Sequence, residues 1–323
     1  MDASFKAVKA AYTANAAPKH ETAGSRYNKI SRGWNAIFVT VLSAVSLTMV
    51  LPLLLVTIVS FSSEYSVANA GYSYFPLEWS LQAYTHLGRM GRQVVDSFTI
   101  TVFYTIVGTA MSLTVMSLYA FVIAQKRFVA RRFFTWMLFF TMLFSGGLVP
   151  SYILNTRYLR INNTVWVFLL PSIINAYNVI ILRTFIMTTI PDSLFEAARI
   201  DGAGHFTVFI RITLPLFKAG LATIGLFNVV NRWNDWFIGM LYIINPRLVP
   251  LQTMLQKLQM SIEFLKANAG IAGTPDGVAL LKMLPDQNLR MACTLLIVLP
   301  MLVTYPFFQR YFVHGLTLGG IKE

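Results

Sequence analysis

Long stretches without charge are the feature that most constrains this chain. The stretch 36–61 contains no Asp, Glu, Lys or Arg and is rich in aliphatic residues. A helix needs about 20 mainly apolar residues to cross the hydrocarbon core of a bilayer. Only 12% of the 323 residues are charged, well below the roughly 25% of soluble domains. The sequence therefore predicts an all-α integral membrane protein.

Further apolar stretches follow, and together they predict six membrane-spanning helices. Residues 1–35 form a polar, basic tail in which we recognise no secretory signal peptide. Residues 36–323 form the transmembrane domain. We place the six spans at about 36–61, 97–125, 133–155, 161–182, 216–244 and 291–309.

The distribution of Lys and Arg predicts the orientation of these spans. An even number of spans puts both termini on one side, and the segments on that side carry sixteen Lys and Arg residues against nine on the other. Basic residues concentrate on the cytoplasmic side of membrane proteins. We therefore expect both termini in the cytoplasm. The net charge of +13 is dispersed between apolar stretches, so no nucleic-acid partner is predicted.

One charged loop, residues 190–220, interrupts the apolar sequence between the fourth and fifth spans. Pro191 suits the first turn of a helix, and Ser193 with Glu196 has capping-box spacing, so the helix could begin on either side of Ser193. Gly202 is suited to a left-handed cap at its end. We expect one small apolar face, suited to entering a groove, formed at helical spacing by Leu194, Ala197 and Ala198.

The same loop resembles a known motif. Glu196-Ala197-Ala198, then Gly202 after three residues and Ile212-x-Leu214-Pro215 after nine more, is similar to the EAA motif of permeases in binding-protein-dependent ABC importers. Asp201-Gly202-Ala203 resembles the sugar-importing branch of that family. One departure is Ala219, where many relatives have proline, which leaves open the exact bend into the next helix. An amphipathic connector between two spans is the alternative interpretation.

The resemblance implies a type I ABC importer fold, with a cytoplasmic coupling helix between the fourth and fifth of six transmembrane helices. It implies a bacterial cytoplasmic (inner) membrane location and a binding-protein-delivered carbohydrate as substrate. The implied partners are a dimer of ABC ATPase subunits, a second permease, an extracytoplasmic solute-binding protein and membrane lipid. A heterodimer of permeases is favoured over a homodimer. ATP and Mg would be bound by the ATPase subunits and no cofactor by this chain. The implied coupling residues are Glu196, Ala197, Ala198, Asp201, Gly202, Ile212, Leu214 and Pro215.

Other segments extend the resemblance to the maltose-permease class over most of residues 36–323. Within that class, Pro250-Leu251-Gln252 and the Gly146-Gly147 segment resemble the branch that handles complex or acidic oligosaccharides, such as an alginate importer. The segments that carry the wider resemblance are Phe144 to Pro150, Arg183-Thr184-Phe185, Trp233 to Phe237, Pro250 to Gln252 and Phe312 to Lys322.

Polar residues inside the predicted spans are candidates for the translocation path, because such residues usually face a wet cavity or pair with one another. On the fifth span the pattern i, i+3, i+4, i+7 aligns four of them on one helical face. Arg232 and Asp235 are close enough in sequence to form an ion pair instead, and Trp233 and Trp236 could stack on sugars or anchor the helix at the membrane surface. The path candidates are Asn175, Asn178, Asn228, Asn231, Arg232 and Asp235.

No catalytic or metal site is predicted. The sequence contains no phosphate-binding G-x-x-x-x-G-K-[ST] loop, so ATP hydrolysis is expected in a separate subunit and this chain is not an enzyme. A single cysteine and four scattered histidines provide no metal-ligand spacing. The alternative function is a self-sufficient secondary transporter or channel. Such a protein would be expected to have an internal repeat and buried acidic residues for ion coupling.

Overall fold

The computed structural model describes residues 31–267 and 287–315, and within these ranges the chain is almost entirely helical. One antiparallel bridge joins Ser62 and Trp79. The all-α prediction is confirmed. The helices are α1 Arg32–Ser60, α2 Glu64–Ala70, α3 Gln82–Arg89, α4 Gly91–Ala124, α5 Arg131–Leu143, α6 Leu148–Tyr158, α7 Trp166–Leu169, α8 Ala176–Thr189, α9 Asp192–Ile200, α10 His205–Leu216, α11 Lys218–Trp233, α12 Phe237–Tyr242, α13 Leu251–Ala267 and α14 Gln287–Gly315.

The chain divides into two compact units between Leu54 and Leu55. In the first unit the described residues form the greater part of α1, and the side chains of 31–51 are all exposed. An apolar helix with exposed side chains suits lipid better than water. All later helices belong to the second unit. Residues 1–30 of the predicted tail, the loop 268–286 and the end of the chain from 316 lie outside the described residues.

The predicted count of six spans stays a prediction. Among the described residues, α1, α4 and α14 are each long and apolar enough to cross a membrane, and two bent pairs of helices raise the number to as many as five. The first pair, α5 and α6, is bent by 112°. The bend lies at the Gly146-Gly147 segment, where Gly147 has φ +85°, a conformation that glycine adopts without steric cost. The third predicted span is therefore bent at the Gly146-Gly147 segment.

The predicted fourth span, 161–182, is not one continuous helix. Its place is taken by α7 and α8, with residues 170–175 between them. Pro171 lies in this break and has no backbone N–H to continue the helical hydrogen bonds. Asn175 then starts α8, because its side chain accepts a hydrogen bond from the backbone N–H of Asn178 at 3.1 Å. The prediction of one helix was wrong because apolar composition does not reveal such a break.

The predicted fifth span, 216–244, is also broken. The helix α10 meets α11 at a bend of 80°, and α11 ends at Trp233 before α12 begins at Phe237. Phe217 lies at the bend and is fully buried. The bend thus lies two residues after Pro215 and two residues before Ala219.

The long helix α4 is the centre of the second unit. It packs against α8 and α11, and its contacting face carries small and hydroxyl side chains at helical spacing. Small residues let helix backbones approach closely in a membrane, where there is little hydrophobic drive for helices to associate. Gly108 and Ser112 contact Arg232 of α11, whereas the buried Ser97 and Thr101 contact Met254 and Leu251 of α13.

Two apolar clusters share α4. The first includes Tyr104, Phe168 and Trp233, and the second includes Met116, Leu182 and Phe195. In the first cluster the last buried residue of α4 is Tyr104. In the second cluster the first buried residue of α4 is Met116. The section of α4 between them faces a polar group, which is described below.

Candidate functional site: the coupling helix and a buried arginine cluster

The helix α9 is closed at both ends by the residues that its sequence suggests. Pro191 precedes it in extended conformation, and the first helical residue is Asp192. At the other end Gly202 has φ +76°. The N–H of Gly202 donates to Arg199 O at 2.9 Å and the N–H of Ala203 to Ala198 O at 2.9 Å, which is the Schellman pattern. The predicted left-handed cap at Gly202 is present, and the helix begins on the N-terminal side of Ser193.

The apolar face predicted for this helix was partly wrong. Ala198 does not lie with Leu194 and Ala197 on the exposed side, because it is buried together with Phe195 against the rest of the chain. The outward face carries Leu194, Glu196, Ala197 and Ile200, and the side chain of Ile200 is 87% exposed. The sequence spacing allowed either face to point outward, and the bulk of Phe195 decides which one packs.

Aromatic contacts attach α9 to the end of α4. The ring centroids of Phe121 and Phe195 are 6.4 Å apart, and those of Phe121 and Phe209 are 5.2 Å apart. Phe121 thereby contacts a residue of α9 and a residue of α10. The helix α9 is held by a packed aromatic group in addition to its chain connections.

Two polar contacts join the same elements. Lys126 forms a salt bridge with Asp192 at the start of α9. Near its end, Arg199 Nη2 donates to Gln125 Oε1 at 3.4 Å. Gln125 and Lys126 directly follow α4, so both ends of α9 are connected to the end of that long helix. A displacement of α9 would therefore act on α4.

The remaining motif residues lie in α10. Ile212 and Leu214 are partly buried and Pro215 is exposed. The turn from Val208 to Thr213 is π-helical, and such turns occur where a regular helix is interrupted. Pro215 follows directly and cannot donate a backbone hydrogen bond. The motif therefore marks the irregular passage from α9 to α11.

Arg232, one of the path candidates, lies at the centre of a buried polar cluster. Its Nη1 donates to Phe168 O at 2.7 Å, and its Nη2 donates to Ser172 O at 3.0 Å and to Ser112 Oγ at 2.7 Å. The residue is only 6% exposed. The two carbonyls lie at the end of α7 and in the break that follows, where helical partners are lacking. Arg232 thus occupies acceptors that the broken fourth span leaves open.

The helix α4 has room for this guanidinium at Gly108. An added Cβ at Gly108 would lie 2.6 Å from Arg232 Nη1 and 2.7 Å from Cζ. On the next turn toward the N-terminus, Tyr104 Oη donates to Arg232 O at 2.7 Å. The cluster of Arg232, Gly108, Ser112 and Tyr104 therefore links α4 and α11 to the broken span.

The structure does not show the alternative that the sequence left open, an ion pair between Arg232 and Asp235. Both side chains are described, and no ion pair joins them. Asp235 lies beyond the end of α11, so it does not share a helical face with Arg232. Its Oδ1 accepts from the N–H groups of Phe237 and Ile238 at 3.0 and 3.1 Å. Asp235 therefore caps α12 instead of pairing across α11.

The other path candidates are not gathered in one place. Asn175 caps α8, and Asn178 is buried near it. Asn228 is buried and donates to Ile224 O within its own helix at 2.9 Å. Asn231 is exposed. The path candidates therefore do not form one polar face: some cap helices, some are buried and Asn231 is exposed.

Sequence reasoning missed the contact between Asn234 and Gln252, although it named Asn231 and Trp236. Asn234 Oδ1 accepts from Gln252 Nε2 at 3.1 Å, and Trp236 is 40% exposed. Trp233, by contrast, is buried and donates to Ile297 O at 3.0 Å. Gln252 was visible in the Pro250-Leu251-Gln252 pattern, but its position beside Asn234 is a tertiary contact. We call Asn231, Asn234, Trp236 and Gln252 the polar edge.

Comparison with known proteins places this geometry in context. The family described as "Binding-protein-dependent transport system inner membrane component" matches residues 123–318. The permease protein YtcP of a polygalacturonan/rhamnogalacturonan transport system from Bacillus subtilis is 32% identical over 86% of this chain and 94% of its own length. Protein LplC of the same organism is 32% identical over 91% of this chain and 96% of its own.

A solved structure is also similar. It is described as a bacterial ABC transporter involved in the import of the acidic polysaccharide alginate. The similarity has a TM-score of 0.73 at 29% identity, and it covers 88% of this chain and 99% of the matched chain. The similarity in fold therefore covers nearly the whole of the matched chain.

We predict that Gly108→Ala lowers the stability of the protein. The added methyl group must displace the guanidinium of Arg232 from its acceptors, and such overpacking costs about 1–3 kcal/mol. The readout is the thermal unfolding midpoint of the purified protein in detergent. Gly91→Ala on the same helix is the matched control, because nothing lies within 4 Å of its added Cβ. Equal midpoints for the two variants would contradict the described packing.

Proposed function

Because this chain belongs to the family of binding-protein-dependent transport system inner membrane components, we propose that it moves an acidic oligosaccharide across a bacterial inner membrane. The chain is a permease subunit of an ABC importer and has the type I importer fold. ATP hydrolysis belongs to a separate subunit, and a solute-binding protein is the other partner that the family implies. The substrate class, the second permease, the orientation and the residue roles are proposals.

The observation that carries the mechanism is the attachment of α9 to α4. The outward face of α9, with Glu196, Ala197 and Ile200, is the surface that an ATPase subunit would bury, while Phe195 and Ala198 hold the helix to its own chain. Nucleotide-driven closure of two ATPase subunits, which bind ATP and Mg, would then displace α9 as a rigid body. The contacts of Phe121, Gln125 and Lys126 would pass this displacement to α4.

Among the motif residues the proposed roles differ. Glu196 and Ala197 contact the ATPase, Ala198 packs inward, and Asp201 with Gly202 ends the helix. Ile212, Leu214 and Pro215 shape the passage into α11. Coupling requires that the ATPase states prefer different positions of α9, because otherwise no population would shift.

We propose that α9 faces the cytoplasm together with both termini. The excess of Lys and Arg on that side and the need for an ATPase to reach α9 favour the same orientation. In this arrangement α7 and α8 together make the fourth of six crossings. The break between them is tolerable at membrane depth because Arg232 satisfies its carbonyls.

The substrate proposal rests on the relatives. One serves a polygalacturonan/rhamnogalacturonan transport system and another an importer of the acidic polysaccharide alginate. Arg232 does not support an acidic substrate, because its guanidinium is buried and both of its Nη atoms already donate to acceptors within the chain. We propose that the polar edge contacts the sugar, with Trp236 stacking and Asn231, Asn234 and Gln252 forming hydrogen bonds. Asn175, Asn178, Asn228 and Asp235 would then support the path without lining it.

A second permease would cover apolar surface that this chain leaves exposed. Around the bend between α5 and α6, Leu143, Phe144 and Val149 are each more than 60% exposed. Patches of this kind mark lipid or protein contacts. We favour a homologous chain over a second copy of this one, as the sequence resemblance implies. A self-sufficient secondary transporter or channel is not favoured, because the family acts with an ATPase.

The variant Gly202→Asp is expected to insert normally but to uncouple ATP hydrolysis from uptake. A residue with a Cβ in the left-handed conformation costs about 1–2 kcal/mol, and the cap that ends α9 would loosen. The readout is transported sugar per ATP hydrolysed in proteoliposomes. Gly204→Asp adds the same charge at φ −69° and is the control. Equal ratios for both variants would argue against the role of this cap.

The variant Glu196→Lys is expected to weaken retention of the ATPase subunit severalfold, because it reverses a charge on the outward face of α9. The measurement is the amount of ATPase subunit that co-purifies with the tagged chain in mild detergent. Glu78→Lys, an exposed acid far from α9 in the sequence, is the control. Unchanged co-purification in the Glu196 variant would contradict the docking proposal.

The transport proposal itself is tested with the assembled complex in proteoliposomes. ATPase activity should rise when the binding protein is supplied with an oligogalacturonide, and it should rise much less with a neutral malto-oligosaccharide of equal length. Trp236→Ala should lower uptake without lowering ATPase retention. A complex that responds only to the neutral sugar would overturn the acidic substrate class, and a chain that purifies without an ATPase would overturn the whole assignment.

A further inference from the structure

Two neighbouring cavities lie where α4 ends. The first has a volume of about 550 Å³ and is lined by residues of the α4 end, the following loop and the α9–α10 region. The second has a volume of about 350 Å³ and is lined by residues of α4 and α5 and the loop between them. Val122 and Phe128 line both cavities. The two cavities therefore adjoin along one side of α4.

The first cavity is suited to an anion. Arg127, Arg199 and His205 line it, and no Asp or Glu does so among the described residues. The nearby acid Asp192 is already paired with Lys126. Gln125 also lines the cavity, and its buried Nε2 has no hydrogen-bond partner among the described residues. Two arginines and an amide donor are the groups that bind phosphate oxygens.

The second cavity is suited to a hydrocarbon chain. Its lining includes Val115, Leu118, Val122 and Phe134, with Tyr119 as the residue that carries a polar atom in its side chain. The hydroxyl of Tyr119 is directed to Phe134 O at 3.3 Å. From Val115 to Val122 the helix rises about 10 Å. The apolar cavity thus extends from the basic one along a membrane-spanning helix, away from its charged end.

We propose that the two cavities form one binding site for an anionic phospholipid. The phosphate lies between Arg127 and Arg199 near Gln125, and an acyl chain follows Leu118 and Val122 toward the middle of the bilayer. Membrane proteins bind acidic head groups in basic pockets of this kind on their cytoplasmic side. The choice of the cytoplasmic leaflet rests on the orientation given under the proposed function. The lipid class follows from the cavities themselves.

The site has a consequence for coupling. Arg199 belongs to α9 and Gln125 directly follows α4, and they already contact each other at 3.4 Å. A phosphate between Arg127 and Arg199 would add a further connection between the same two elements. The bound lipid would therefore strengthen the contact through which α9 acts on α4.

The test measures lipid retained by the purified chain, which does not require the ATPase subunit. The tagged protein is extracted into nanodiscs of phosphatidylcholine with one fifth phosphatidylglycerol, transferred to detergent, and examined by native mass spectrometry. The wild type should retain phosphatidylglycerol in preference to phosphatidylcholine. Arg127→Gln should reduce that retention about fivefold, because each basic residue at a membrane surface contributes about that factor in affinity.

Further variants test the specificity of the Arg127 effect and the contribution of the junction between the two cavities. Arg211→Gln removes an exposed arginine that lines neither cavity and should leave retention unchanged. Val122→Trp fills the junction of the cavities and should also abolish the preference, whereas Ile106→Trp changes an exposed position elsewhere on α4 and should not.

Several outcomes would overturn the inference. Equal retention of both lipids, or an equal loss in Arg127→Gln and Arg211→Gln, would mean that the cavities do not select an anionic lipid. Displacement of the lipid by millimolar inorganic phosphate, with Val122→Trp behaving as wild type, would mean a site for a soluble anion only. Loss of the ATPase subunit with lipid preference intact would count against the proposed function and leave this inference standing.

Discussion

The structure depends on one buried guanidinium. Arg232 brings a charge into a membrane-spanning core, where it is only 6% exposed and forms no salt bridge among the described residues. Such a charge is stable only if it is surrounded by acceptors. The carbonyls of Phe168 and Ser172 supply them. Those carbonyls are open because the fourth span breaks at Pro171, so the arginine and the break satisfy each other.

The hydrogen bonds between Arg232 and these carbonyls determine how closely the helices pack. The guanidinium lies against Gly108, which has no side chain to exclude it, and bonds to Ser112 one turn further along. The helices α4 and α11 and the break after α7 are thereby joined at one point on α4. At its other end the same helix holds α9 through Phe121, Gln125 and Lys126. The helix α9 and the buried cluster are therefore connected by one continuous helix, α4.

Much of this could be predicted from the sequence. The uncharged stretches specify a membrane protein, because nothing else accommodates so many apolar residues in long helices. The end of α9 at Gly202 follows from the need for positive φ. The interruption at Gly146-Gly147 follows from the same property of glycine. In each case the signal is local, since one residue type has a conformational freedom or restriction that the others lack.

The errors concern choices between equivalent local patterns. Helical spacing allowed Arg232 to pair with Asp235, but α11 ends before Asp235, which caps α12. Spacing also allowed Ala198 to share a face with Leu194, but the larger Phe195 takes Ala198 to the buried side. The amphipathic pattern restricts a helix to a few orientations, and contacts with other elements select among them. The cavities beside α4 could not be predicted from local patterns either, because their residues come from α4, the loop after it, α5, α9 and α10.

The sequence by itself determined the class of this protein, the position of its charged loop and the end of α9 at Gly202. These properties depend on composition, on charge and on the backbone preferences of single residues, which are present before the chain folds. Only the tertiary structure decided which acceptors surround Arg232, which face of α9 is outward and where a lipid could lie. Those properties depend on distances between residues up to 120 positions apart, and periodicity along one helix carries no information about its neighbours.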